Sequence, residues 1–116
     1  EAWKQTLREA LRGAQRARDA RAIAVFRETL AAIDNAEAAE LAAAPPVQEH
    51  GTIAGGVAGL GAGEVARRVL DAHEVSALIE REISERRAAA ATYDSHGRAS
   101  EAIALRAQAD LLVALL

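Results

Sequence analysis

Apolar residues return along this chain every three or four positions, which is the period of a helix with one buried side. Between residues 3 and 18 the apolar positions are Trp3, Leu7, Leu11 and Ala14, with Ala10 beside them. Gly13 weakens that helix by about 1 kcal/mol relative to alanine. Asp19 reads as a stop-and-restart point, capping the next helix with its carboxylate at the positive end. From 20 to 41 the stripe is Ile23, Phe26, Leu30, Ile33 and Leu41, widened by Ala22, Val25 and Ala36. Pro45-Pro46 ends it, because the residue before a proline avoids the α region.

A second pair of helices follows. Asp71 with Glu74 three residues on forms a variant capping box and predicts a helix over 72–94. Its inward positions are Val75, Leu78, Ile79, Ile83, Ala90 and Tyr93, and its outer face carries Glu80, Arg81, Glu85 and Arg86, which pair weakly at the surface. His96-Gly97 is a C-terminal stop, because glycine takes the left-handed conformation without steric cost. A fourth helix is expected over 99–115, with Ala102, Leu105, Ala109, Leu112 and Leu116 on one face and Ile103 and Val113 flanking it. No alternating strand pattern competes. The short connections at 19 and 97 favour antiparallel neighbours. The fold class is therefore all-α, a four-helix arrangement of two antiparallel hairpins (1–42 and 71–116) with a Gly-rich insertion at 43–70, in one domain of 1–116.

Composition sharpens this picture in two respects. Hydrophobic residues are 51% of the chain but aromatics only 3%. Alanine supplies most of the difference, so helices can approach closely and a few large side chains must fill the core. There is no cysteine, which excludes disulfides, thiolate metal sites and cysteine nucleophiles. No apolar run is long enough to span a bilayer, and the start lacks the basic-then-apolar layout of a signal peptide. A cytoplasmic protein without membrane contact is the expectation.

Candidate chemistry is thin. The insertion holds six glycines (Gly51, Gly55, Gly56, Gly59, Gly61 and Gly63) and no charge between His50 and Glu64. Gly56 and Gly61 have P-loop spacing, but Ala62-Gly63 stands where Lys-Ser/Thr would hold phosphate. His50, His73 and His96 lack metal-ligand spacing, and Glu80, Glu82 and Glu85 lack the Glu-x-x-His of a bundle metal site. The serines have no base-and-acid constellation and no nucleophile elbow. No metal or cofactor is expected, and nothing supports catalysis.

Cations are distributed unevenly. The formal net charge is −3, so there is no general attraction for polyanions. Through residue 27, however, Lys4 and six arginines face only Glu1, Glu9 and Asp19. Arg8, Arg12 and Arg16 stand at i, i+4 and i+8 and form a ridge; Arg18 and Arg21 follow at the turn, and Arg27 lies on the second helix. Arginine's planar fork suits phosphate. No aromatic is interleaved, so a base-stacking platform is not expected. The insertion offers a different surface: Ile53, Val57 and Leu60 could dock on the helices or on a partner.

Taken in order, Arg16-Ala-Arg-Asp19 and Arg27-Glu-Thr-Leu-Ala-Ala-Ile-Asp-Asn-Ala-Glu37 resemble the first hairpin of GatB/YqeY-type domains. Glu82-Ile-Ser-Glu-Arg-Arg87, Tyr93 to Arg98 and the leucine-ended last helix resemble the second. The loop Ile53 to Gly61 with Glu64-Val-Ala-Arg-Arg68 is similar to the insertion of a short subgroup. Longer relatives continue into a second small helical region beyond the fourth helix. The resemblance implies a YqeY-like domain, related to the tail of the GatB subunit of glutamine-dependent aspartyl/glutamyl-tRNA amidotransferase, a carbon–nitrogen ligase. That tail helps engage tRNA and is not the catalytic centre. The expectation is a noncatalytic accessory domain, with tRNA or a translation-linked protein as partner. The alternative is a protein-interaction module acting through Ile53, Val57 and Leu60. The sequence leaves the oligomeric state open.

Overall fold

The computed structural model describes residues 2–42 and 69–116, which form four helices and no strand. These are α1 (Ala2–Ala17), α2 (Ala20–Ala42), α3 (Ala72–Ser95) and α4 (Ala99–Val113). Most of the expected insertion, with His50, Ile53, Val57 and Leu60, lies outside the described residues.

Helix boundaries follow local chemistry. At the end of α1, the Arg18 N–H donates to the Gln15 carbonyl at 3.1 Å and the Asp19 N–H to the Ala14 carbonyl at 3.0 Å. This is the double bond pattern of a Schellman stop, with Arg18 at the left-handed position, φ 55°. Asp19 then caps α2, its Oδ1 accepting from the Ala22 N–H at 3.1 Å. The capping box of α3 is complete: Asp71 Oδ1 accepts from the Glu74 N–H at 2.8 Å, and Glu74 Oε1 accepts from the Asp71 N–H at 3.0 Å. A second Schellman stop closes α3, with Gly97 at φ 70° and the Arg98 N–H donating to the Tyr93 carbonyl at 2.8 Å.

Packing follows the apolar stripes. The most extensive helix contact is between α3 and α4, followed by α1 on α2; α2 touches both α3 and α4, and α1 reaches α3. Leu7, Val25, Ile33, Ile79 and Leu112 are fully buried where the four helices meet, with Phe26, Val75, Leu78 and Ile83 around them. Burial of each such side chain stabilises the fold by about 1.5–3 kcal/mol. Away from this cluster α3 and α4 continue together on small residues: Ala90 and Ala102 are fully buried, yet every residue from 91 to 100 is exposed. The two helix ends thus run past the core, packed on these alanines and linked by Arg106 Nη2, which donates to Asp94 Oδ2 at 2.6 Å.

Several positions differ from the stripe reading. Tyr93, expected inward, is exposed because it sits in that projecting end, where Arg98 covers its ring at 5.8 Å. Leu116 lies beyond the last turn of α4 and is 55% exposed. Arg86, assigned to the outer face, is almost buried, and Lys4, counted among the surface cations, is buried.

Candidate nucleic-acid interface

The arginine ridge occupies α1, whose other side packs Leu7, Ala14 and the flank of Trp3 against the core. A step of four residues overshoots a full helical turn by about 40°. The series Lys4, Arg8, Arg12, Arg16 therefore winds from the edge of the buried face towards the side opposite it. Lys4 falls inside the core boundary, whereas Arg8, Arg12 and Arg16 are all exposed. None of the three makes an ion pair or side-chain hydrogen bond with a described residue. The ridge spans roughly 12 Å, from the helical rise of about 1.5 Å per residue.

The remaining arginines do not join it into one cluster. Arg18 and Arg21 are exposed at the α1–α2 corner, on either side of the capping carboxylate of Asp19. Arg27 is exposed farther along α2, and six residues of helix place it about 120° around the axis from Arg21. The coherent element is Arg8-Arg12-Arg16, with Arg18 continuing from its end.

Two charge clusters, one buried and one partly buried, were not read from the sequence. In one, Lys4 Nζ donates to Glu37 Oε1 at 2.7 Å, with Asp34 Oδ1 at 3.5 Å, and Glu37 Oε2 accepts from the Leu70 N–H at 2.9 Å. Lys4 is 8% exposed and Glu37 2%. The cluster joins α1, α2 and the residues just before α3. In the other, Arg86 of α3 donates through Nη2 to Glu28 of α2 at 2.9 Å, through Nη1 to Glu82 Oε1 at 2.7 Å and through Nε to Gln108 of α4 at 3.2 Å. Its side chain is 11% exposed. Phase was the missed signal: Lys4 is three residues before Leu7, Glu37 four after Ile33, and Arg86 three after Ile83, all on core stripes.

Two hollows among the described residues are lined without a nucleophile–base pair. One lies between α2 and α3, lined by Ala36, Ala39, Leu70, Ala77 and Leu78 with Glu74 and Arg81 at its rim. The other, at the α3–α4 corner, is lined by Thr92, Tyr93, His96 and Arg98. Thr92, His96 and Arg98 there are engaged with neighbours, the Thr92 hydroxyl donating to the Ala88 carbonyl at 3.2 Å. His96 Nδ1 lies 2.8 Å from the Thr92 carbonyl, the geometry of a ring N–H closing the helix end, and Arg98 Nη2 donates to Glu101 at 2.6 Å. That bond, first among the causes, holds the Glu101 carboxyl below the usual carboxylate range. Among the described residues no three His, Asp or Glu side chains group to hold a metal, and no helix is long and apolar enough to cross a membrane.

No family model, no curated protein and no solved structure matches the chain.

Proposed function

We propose that this chain is a noncatalytic, YqeY-like accessory domain that contacts tRNA through the α1 ridge of Arg8, Arg12 and Arg16. One observation carries the reading: three arginines at four-residue spacing stand exposed on one helix without an ion pair among the described residues. Such guanidinium groups have given up little to a protein partner and can exchange water for phosphate oxygens in bidentate fashion. The resemblance to GatB/YqeY-type domains supplies the nucleic acid. The link to glutamine-dependent amidotransferases is one of domain kinship. The absence of an aromatic among the arginines favours backbone contact over base reading.

The test is a salt-titrated binding assay against unacylated and mischarged tRNA. Three phosphate contacts predict a log–log slope near −2 to −3, set by counterion release. Changing Arg8, Arg12 and Arg16 together to Glu, with helicity retained, should abolish binding. Survival of the signal in that variant would remove the ridge as the site. No binding by the unaltered protein at low salt would sink RNA recognition and put a protein-interaction module in its place.

A further inference from the structure

Tyr93 is the one tyrosine of the chain, and it stands 38% exposed in the projecting end of α3. With Ala89, Thr92, His96 and Arg98 it lines a hollow of about 720 Å³, within the roughly 300–1,000 Å³ common for small-ligand sites. The Arg98 guanidinium lies over the ring, 5.8 Å from its centre. Of the Arg98 donors only Nη2 is bonded, to Glu101; Nε and Nη1 have no partner among the described residues. What the hollow faces follows from helix phase. α2 and α3 pass each other in opposite directions, Glu28 meeting Arg86 and Glu37 meeting the Leu70 N–H. Seven residues complete almost two turns and advance about 10 Å. Tyr93, seven after Arg86, therefore lies on the stripe from which Arg86 reaches α2. Arg21, seven before Glu28, lies on the stripe from which Glu28 reaches α3. Both stand at the same level beyond that pair and both are exposed, so the helices leave an opening between them. The acids at this end are matched: Asp19 caps α2, Asp94 pairs with Arg106 and Glu101 with Arg98. Arg16, Arg18 and Arg21 have no ion-pair partner among the described residues.

We propose that this opening binds one unpaired nucleotide, its base stacked against Tyr93 and its phosphate held by Arg21 and Arg98. The nucleic-acid class of the ligand rests on the RNA reading above, while the stacking site is read from the corner itself. A base stacks on an aromatic ring with little regard to its identity, and a neighbouring guanidinium adds to the contact. Bases within a duplex keep their faces covered, so the site selects loops, bulges and single-stranded ends. The excess of arginine over free carboxylate supplies the attraction for phosphate. The α1 ridge has no aromatic of its own; Tyr93 brings one from the other half of the chain.

A single tyrosine makes the test direct, because its ring resonances report on position 93 alone. In the unaltered protein hexaadenylate should move them upfield, the mark of a stacked base, whereas tripolyphosphate, which carries charge without bases, should not. Tyr93→Leu should weaken hexaadenylate binding at least about fivefold, and Tyr93→Phe, which keeps the ring, should stay within about twofold. Arg21→Ala should flatten the log–log salt dependence by about 0.7, the value of one phosphate on a single strand. All these changes fall at exposed positions and leave the core intact. Unmoved Tyr93 resonances, equal movement with tripolyphosphate, or a Phe variant as weak as Leu would overturn the proposal. So would tRNA binding with a silent Tyr93, an outcome that leaves the ridge reading in force. A protein that ignores tRNA yet shifts Tyr93 with hexaadenylate would keep the corner site and remove the ridge.

Discussion

Arg18 and Gly97 occupy the same position in two copies of one hydrogen-bond pattern, and they occupy it at different cost. A residue with a β-carbon in the left-handed region is disfavoured by about 1–2 kcal/mol, whereas glycine carries no such penalty. Arg18, at φ 55°, therefore stores strain at the α1–α2 corner. Replacing it with glycine should stabilise the protein by about 0.5–1 kcal/mol, once the greater freedom of glycine in the unfolded chain is set against the relief. The converse change, Gly97→Ala, should destabilise by about 1 kcal/mol. A β-carbon on Gly97 would meet nothing within 4 Å, so this cost is conformational and free of any clash. Urea unfolding of the two variants checks both signs. Equal shifts in one direction would mean that the corners differ in something other than backbone strain.

At the scale of the element, α3 and α4 start in different ways. At α3 the Asp71–Glu74 box satisfies the first-turn N–H groups reciprocally, and this was legible because the residue types and their spacing define it. At α4 the cap position is Arg98, which makes no side-chain cap bond; instead its guanidinium reaches forward to Glu101, in the first turn. Glu101 is thereby held below the usual carboxylate range, by Arg98 first and by its own backbone N–H second. A carboxyl lowered on folding stabilises the fold fully above its ordinary pKa, and that contribution fades as pH falls through the lowered value. The urea midpoint of the protein should accordingly exceed that of Glu101→Gln at neutral pH, and the gap should close on acidification. The effect is small because the pair is exposed; a gap independent of pH would assign it to something other than this charge. The four helices themselves were legible because large apolar residues such as Leu7, Phe26, Ile79 and Leu112 recur at 3.6-residue spacing. Lys4, Glu37 and Arg86 were not, because reading charge as surface overrode their position on the core stripes. The arginine ridge was legible as a spacing, while the drift that takes it away from Lys4 becomes evident only once the buried side of α1 is fixed.

Over the whole molecule, Arg86 is where α2, α3 and α4 are tied by one side chain, through Glu28, Glu82 and Gln108. A lysine there keeps the charge but places its three donors on one nitrogen, which cannot span the separation that Nε, Nη1 and Nη2 bridge between Gln108, Glu82 and Glu28. Arg86→Lys should cost about 1–3 kcal/mol, read as a lowered urea midpoint, and a change under about 0.5 kcal/mol would reduce Arg86 to a surface pair. The rest of the α3–α4 contact relies on a different economy. Past the shared core those helices meet on Ala90 and Ala102, both fully buried, with the exposed Arg106–Asp94 pair linking them beyond. A methyl group offers few partner atoms, so closeness of approach substitutes there for side-chain volume. Substitution at these two positions is consequently one-directional. Glycine leaves the backbones able to stay close, whereas a larger side chain must wedge them apart against the short His96-Gly97-Arg98 turn that joins the two helices. A single carbon added at either alanine is thus felt at the corner where α3 turns into α4.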